Sequence, residues 1–163
     1  MTAEERRRAR DMLDLQEGTG PVPVLDADGA LALLRGTRRI AIVGASTNPD
    51  RPGSFVMRSL QAAGFDCVPV NPFATEVNGV PAFPTLAAAT AATGRFDLVD
   101  VFRRPEHCAD VARAAVEVGA GALWLQIGIV SWEAARIAHE AGLPVVMDRC
   151  TAVDARRLPP RKG

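Results

Sequence analysis

Short, mostly apolar runs alternate with segments of helical periodicity along most of the chain. The apolar runs have the length of strands, and their composition is typical of strands buried on both faces. The segments between them begin after a capping hydroxyl or at a proline, and they end at a glycine. This alternation predicts a parallel sheet with helices on both faces. The runs cover residues 40–43, 67–70, 97–102, 122–127 and 145–147.

A weaker run at residues 80–83 contains Pro81, so we expect only a brief third strand there. Right-handed crossovers and a reversal of direction after that strand then predict an α/β fold with a single doubly wound, Rossmann-like sheet of order 3-2-1-4-5-6. Ligands bind such sheets at the carboxyl ends of the strands, where the order reverses. The ligand crevice is therefore expected between the first and fourth strands.

The two ends of the chain differ from this middle part. Residues 2–15 predict a charged helix that Thr2 caps and in which Glu4 can pair with Arg8. After residues 145–147 we expect no further element, only a short, basic tail with prolines. The predicted organisation is a charged N-terminal helix at 1–20, one Rossmann-like domain at 24–158 and a basic tail at 159–163.

Composition and charge narrow the classes of function. The formal net charge is zero, which gives no general attraction to nucleic acid. No apolar run approaches the roughly 18 residues of a membrane span, and the charged N-terminus does not resemble a secretory signal. Cys67, Cys108 and Cys150 lie far apart, as is typical of reduced thiols. We therefore expect a cytoplasmic protein that binds neither nucleic acid nor membrane, and the sequence identifies no protein partner.

The loop after the first strand has the features of an anion site. It begins with Gly44, and Pro52 then stands where a helix would start, so free backbone N–H groups and the positive end of the helix dipole would meet there. A glycine at this place would let a phosphate approach the main chain. The dinucleotide fingerprint requires three closely spaced glycines, however, and only Gly44 and Gly53 are present. From these residues alone, a phosphate-binding loop and a plain strand–helix turn both stay open.

Residues at the other strand ends indicate which anion is favoured. An NAD site normally has an acidic residue after the second strand, and this chain has Asn71, which disfavours NAD. Arg51, Arg103 and Arg104 would place cations near the crevice, and several phosphates are their natural counter-charge. Two ordinary solvated arginines before a helix are the alternative explanation of Arg103 and Arg104.

The sequence identifies no catalytic set and no metal site. His107 and His139 are expected on the surface, and motifs such as CxxC, HExxH and GxSxG are missing from the sequence. Cys150 follows a strand end beside Arg149, which would lower the pKa of a thiol, but a buried, inert thiol is the other reading. Asp100 is either a carboxylate of the site or the cap of a neighbouring loop.

Five motifs at the strand ends resemble one family. They are Ile-Val-Gly-Ala-Ser at 42–46, Val-Asn-Pro at 70–72, Val-Asp-Val-Phe-Arg-Arg-Pro at 99–105, Trp-Leu-Gln-Ile-Gly at 124–128 and Val-Met-Asp-Arg-Cys at 146–150. Together they resemble the small stand-alone CoA-binding domain proteins, which are similar to the N-terminal domain of the succinyl-CoA synthetase alpha subunit. The resemblance covers about residues 36–158.

The resemblance implies a Rossmann-type domain that holds coenzyme A or an acyl-CoA as its small-molecule nucleotide ligand. The synthetase's phosphohistidine lies in a second domain that is not part of this sequence, so we expect a non-catalytic binder, with a regulatory role as one use of it. By position, the resemblance assigns the pyrophosphate to Gly44, Ala45, Ser46 and Ser54, a phosphate to Arg51, the adenosine end to Asn71 and Pro72, and the path of the ligand to Phe102, Arg103, Gln126 and Gly128.

Three other classes of function stay open at this point. The first is a small NAD(P)-linked oxidoreductase on the same fold. The second is a thiol-based redox or CoA-thiol exchange protein that uses Cys150, and the third is a scaffold whose basic N-terminal helix binds a partner. Binding of nicotinamide cofactors would favour the first, and loss of thiol reactivity in Cys150→Ser would favour the second.

Overall fold

The structure is a computed structural model that describes residues 1–160. Helices and strands alternate along most of the chain, as the sequence predicts. The helices are α1 (Ala3–Glu17), α2 (Ala27–Arg35), α3 (Pro52–Ala62), α4 (Leu86–Thr93), α5 (Pro105–Glu117), α6 (Trp132–Glu140) and α7 (Thr151–Ala155). The strands are β1 (Arg39–Val43), β2 (Asp66–Val70), β3 (Glu76–Val77), β4 (Val80–Pro81), β5 (Leu98–Val101), β6 (Leu123–Leu125) and β7 (Val145–Val146).

Five parallel strands form the central sheet in the order β2-β1-β5-β6-β7. The predicted Rossmann-like α/β fold and the reversal of strand order beside β1 are thereby confirmed. The expected third strand is present only in part. Val80–Pro81 pairs antiparallel with β3 in a separate small sheet, and Phe83 contributes one bridge to Val70 at the edge of the main sheet. Pro81 has no N–H to donate to a longer ladder, which accounts for the short pairing.

Helices cover both faces of the central sheet. Successive strand side chains point to opposite faces, so Ala41 and Val43 pack towards α4, α5 and α6, whereas Ile40 and Ile42 pack towards α2, α3 and α7. Burial of a large apolar side chain stabilises the fold by about 1.5–3 kcal/mol. Trp124 is fully buried on the second face, where its indole Nε1 donates to the backbone O of Arg149 at 2.7 Å.

The segment after β7 is not the plain tail that the sequence predicts. Residues 151–155 form α7, which packs on α2 and α3 and buries Thr151 and Asp154. Both carboxylate oxygens of Asp154 accept hydrogen bonds from the Arg149 guanidinium at 2.7 Å. These contacts hold the C-terminal segment against the core. The predicted basic tail at 159–163 lies partly outside the described residues.

Helix α1 forms as predicted and lies against the core. Thr2 and Glu5 form a capping box, and Arg8 pairs with Glu4 at 2.7 Å. Arg8 also reaches Glu106 at the start of α5, at 3.0 Å. The Trp132 indole Nε1 donates to the backbone O of Asp11, which fixes the helix at a second place. Within residues 1–160, no helix is long and apolar enough to cross a membrane.

Candidate ligand crevice

The carboxyl ends of β1 and β5 meet at the point where the strand order reverses. The chain leaves β1 for α3 on one face of the sheet, and it leaves β5 for α5 on the other face. The loops after these strands therefore diverge and open a crevice between them. The crevice also borders the loops after β2, β6 and β7, as the topology predicts.

Two cavities lie side by side in this crevice. The β2-side cavity has a volume of about 430 Å³ and lies over the ends of β1 and β2. The β6-side cavity has a volume of about 820 Å³ and extends over the ends of β5 and β6 to Cys150. Gly44, Ala45, Phe73 and Arg103 line both of them, so the two cavities form one continuous groove.

The backbone at the end of β5 lies so close to position 44 that this position requires a glycine. The φ of Gly44 is +90°, and a Cβ atom at this position would lie 2.5 Å from the backbone O of Phe102. The absence of a Cβ at Gly44 thus allows the backbone of Phe102 to lie close to this loop, a reason for the glycine that is independent of any phosphate. Gly53 allows a similar close approach, because a Cβ there would lie 2.3 Å from the Gly44 O. The two glycines hold the N-terminus of α3 against the loop that begins the crevice.

One residue of the loop that lines the groove, Ala45, has an unpaired backbone donor. The amide N–H of Ala45 has no hydrogen-bond partner within residues 1–160, although the residue is only 3% exposed. Ser46 also lines the β6-side cavity, and its Oγ accepts from the amide N of Asn48 at 3.1 Å. Unpaired buried N–H groups are rare and suit an anion.

Ser54 lies outside the groove. Its side chain is 1% exposed, and its hydroxyl lies 3.4 Å from Asn78 Oδ1, while Asn78 Nδ2 donates to the Ser54 carbonyl at 2.9 Å. Ser54 thereby holds the turn at Asn78 against α3. The structure brings together the other members of the predicted pyrophosphate set, but it does not bring the Ser54 side chain to them.

Asn71 connects two loops at the β2-side cavity. Its Nδ2 donates to the Ala45 carbonyl at 2.8 Å, and its Oδ1 accepts from the Phe73 amide at 2.7 Å. Asn71 and Pro72 both line this cavity, as the resemblance implies. His107, which was expected on the surface, is exposed and also lines this cavity. The sequence contained one indication of this location, because His107 lies two residues after Pro105, the first residue of α5.

Three exposed apolar side chains border the β6-side cavity. Phe73 is 97% exposed, Ile127 is 70% exposed and Phe55 is 44% exposed. Clustered apolar exposure of this kind marks a binding surface. Ile127, at the end of a predicted strand, was expected to face the crevice. Phe55 and Phe73 were not expected there, because Phe55 belongs to the apolar pattern of α3 and Phe73 is a single apolar residue in a loop. Phe102, Arg103 and Gln126 line the same cavity, as expected.

Gly128 lies beside the groove. Its amide N donates to Asp148 Oδ1 at 2.7 Å, and the residue lines a smaller cavity of about 230 Å³. That cavity adjoins the β6-side cavity through the shared Arg104 and Ile129, and it ends against Arg8 of α1.

Arg51, Arg103 and Arg104 make the β6-side cavity cationic. All three are exposed and line it, and none has a carboxylate within 4.0 Å among the described residues. Within residues 1–160, no Asp or Glu side chain lines this cavity. Unpaired arginines that converge on one cavity are suited to phosphate groups.

Asp100 lies beneath the groove and does not line either cavity. It is 0% exposed, and its carboxylate accepts from Gln126 Nε2 at 2.6 Å and from Thr151 Oγ1 at 2.8 Å. Burial raises the pKa of Asp100 to about 7, and the two hydrogen bonds act in the opposite direction. Asp100 thus forms hydrogen bonds with Gln126 and with Thr151 of α7. It is neither a carboxylate that lines the site nor a loop cap, the two interpretations of the sequence.

The cysteines differ in their access to the groove. Cys150 is half-buried and lines the β6-side cavity, while Arg149, expected to activate it, pairs with Asp154. Cys67 and Cys108 are buried, and burial raises the pKa of both thiols, that of Cys108 to about 12. Within residues 1–160, no group of three or more His, Cys, Asp or Glu side chains is placed to hold a metal ion.

Comparisons with known proteins identify relatives of this chain. Residues 38–156 match the family model described as "CoA binding domain". The uncharacterized protein YneT of Bacillus subtilis (strain 168) is 40% identical over 121 residues, which are 74% of this chain and 87% of that protein. A solved structure of a hypothetical protein from Pyrococcus horikoshii OT3 is 33% identical with a TM-score of 0.76, covering 82% of this chain and 92% of that chain.

A multidomain enzyme contains a similar unit. The dinucleotide forming acetyl-coenzyme A synthetase 1 of Ca. Korarchaeum cryptofilum, solved with phosphate and ADP, is 25% identical with a TM-score of 0.59. The match covers 71% of this chain but only 26% of the synthetase. The likeness is therefore to one part of that enzyme.

Proposed function

Because the chain belongs to the CoA binding domain family, we propose that it binds coenzyme A or an acyl-CoA in the groove at the carboxyl ends of its strands. The observation that carries this proposal is the convergence of three unpaired arginines and the free Ala45 amide on one groove. Such a groove suits a ligand with several phosphates.

The length of the groove and the order of residue types along it support an extended ligand. From β2 to β7 the sheet has four strand intervals, and strands lie about 4.8 Å apart, so the groove crosses about 19 Å. Asn71 and Pro72 stand at one end, the arginines at the middle, and Ile127 and Cys150 at the other end. A nucleotide, its phosphates and a long thiol-bearing arm have the same order of chemistry.

Each cavity then takes one part of the coenzyme. The adenosine occupies the β2-side cavity beside Asn71 and Pro72. The diphosphate lies over the Ala45 amide, where Arg103 pairs with it, and Arg51 takes a further phosphate. The arm crosses Phe102 and Gln126 in the β6-side cavity, and its thiol end points towards Cys150.

The chemistry of the far end supports binding without catalysis. Among the described residues, no histidine or carboxylate lines the β6-side cavity, where the thiol would lie. An acid or base within hydrogen-bond reach of the reacting group is what an acyl transfer or a hydride transfer would need. Asn71 favours coenzyme A over NAD, because it replaces the carboxylate that normally accepts hydrogen bonds from the ribose hydroxyls of NAD.

Calorimetric titration of the purified protein tests this function. We expect saturable 1:1 binding of coenzyme A, weaker binding of adenosine 3′,5′-diphosphate, and no binding of NAD or NADP. Tight nicotinamide binding would instead support an oxidoreductase. No binding of any of the four ligands would refute the proposed function.

Arg103→Ala should weaken coenzyme A binding about 5- to 150-fold, which corresponds to the roughly 1–3 kcal/mol of a charge-assisted hydrogen bond. Arg103 lines both cavities, so its loss affects the ligand at the middle of the groove. Arg136→Ala is the matched control, because Arg136 is also exposed and lies on α6, away from the groove. Equal affinities of Arg103→Ala and the wild type would exclude this arginine from the site.

A further inference from the structure

The buried network beneath the β6-side cavity leaves one polar atom without a partner. Gln126 is 4% exposed, and its Nε2 donates to Asp100 Oδ1 at 2.6 Å and to Thr151 Oγ1 at 2.8 Å. The other end of the same amide, Oε1, accepts no hydrogen bond from any residue in the described part of the chain. A buried acceptor without a donor costs free energy, so it calls for an explanation.

The network fixes the direction of this acceptor. Above its pKa of about 7, Asp100 is ionised and its two oxygens can only accept, and they take their hydrogen bonds from Gln126 Nε2 and Thr151 Oγ1. The NH₂ end of the Gln126 amide is therefore held towards Asp100, and its oxygen is held away from Asp100. In the sheet, the neighbours of Asp100 are Ile42 and Trp124, and neither offers its carboxylate a hydrogen bond.

We propose that Gln126 Oε1 accepts a hydrogen bond from an amide N–H of the ligand, and that Asp100 and Thr151 are positioning residues for this contact. The inference rests on the proposed function and deepens it, because the arm of coenzyme A contains two secondary amides. Gln126 lines the β6-side cavity, in which the arm is placed. The acceptor thus recognises the arm, not the nucleotide.

The surroundings make this single contact selective. Gln126 is itself almost fully buried, and the apolar side chains of Phe102 and Ile127 line the same cavity. There a ligand that supplies an N–H is favoured, and one that leaves the acceptor unpaired is disfavoured. Adenosine 3′,5′-diphosphate has no arm, so it cannot use this acceptor.

The test compares coenzyme A with adenosine 3′,5′-diphosphate by calorimetric titration. In Gln126→Leu, we expect the affinity for coenzyme A to fall about three- to tenfold, the range for one lost hydrogen bond, and the affinity for adenosine 3′,5′-diphosphate to stay unchanged. Gln16→Leu, an exposed position on α1, is the control and should change neither affinity. Equal losses for the two ligands, or no loss for either, would overturn the inference.

Two variants of Asp100 separate positioning from a general loss of structure. Asp100→Leu removes the acceptor that orients Gln126, so it should reduce the preference for coenzyme A by a similar factor. In Asp100→Asn, Oδ1 still accepts from Gln126 Nε2, so the preference should be rescued. Preferences that are equal in these two variants would refute the positioning role. If the wild type binds neither ligand, the proposed function itself fails.

Discussion

Asp100→Asn should be more stable than the wild type at pH 8, by on the order of 4 kcal/mol. The carboxyl of Asp100 is fully buried, and among the described residues it accepts hydrogen bonds from Gln126 and Thr151 but forms no ion pair. Burial disfavours the charged form and raises the pKa from 3.8 to about 7. Asparagine has nearly the same shape and carries no charge that must be buried.

The gain in unfolding free energy of Asp100→Asn should increase as the pH rises. The folded protein keeps the Asp100 proton up to about pH 7, whereas the unfolded chain releases it near pH 4. The wild type therefore loses stability as the pH rises between these values and loses no more above them. Asp100→Asn does not have this loss, so the difference in unfolding free energy should be small at pH 4.5 and full at pH 8.

Denaturant unfolding at pH 4.5 and pH 8 measures the effect. Asp28→Asn, on the exposed side of α2, is the matched control and should show no comparable gain. A gain of equal size at the two pH values, or a loss at pH 8, would contradict the buried, uncompensated state of Asp100.

Gly44→Ala should lower the free energy of unfolding by roughly 2 to 5 kcal/mol. Its φ of +90° strains any residue with a Cβ, and that Cβ would lie 2.5 Å from the Phe102 O and 2.9 Å from the Phe102 carbonyl carbon. Since the clash is with backbone, a side-chain rotation cannot relieve it. The loop would have to move away from β5, and the groove would open with it.

Gly119→Ala is the control that isolates the strain. Gly119 has a φ of +71°, but apart from its chain neighbours no atom of residues 1–160 lies within 4 Å of the added Cβ, so only about 1–2 kcal/mol should be lost. Chemical denaturation compares the two variants. Equal losses would show that the close approach of Gly44 to Phe102 does not limit stability. A binding defect in Gly44→Ala would follow from the altered loop, so Arg103→Ala is the cleaner test of the site.

The sequence predicts best those features that depend on interactions between residues close together in the chain. Thr2, Asp26, Thr85 and Ser131 each cap the helix that follows, because a capping side chain bonds an amide three residues away in its own segment. The strand order is also recoverable, since alternating strands and helices restrict the crossovers to one hand. These features predict the fold and the edge of the sheet where the groove lies.

The sequence is less informative where partners are distant. Helix α7 has only five residues, and it is stabilised by contacts of Thr151 with Gln126 and Asp100, 25 and 51 residues away. Ser54 is two residues into α3, and its direction depends on the turn at Asn78, which no local pattern encodes. The Phe73 side chain borders the groove because Asn71 bonds the Phe73 amide. Such pairings become visible only when the chain is folded.

The crystal structure of the protein with coenzyme A tests the central claim most directly. We expect the diphosphate within hydrogen-bond distance of the Ala45 amide N and the Arg103 guanidinium, with the adenosine over Asn71 and an amide of the arm beside Gln126. A coenzyme bound elsewhere on the surface, or bound with its arm outside the β6-side cavity, would contradict the account.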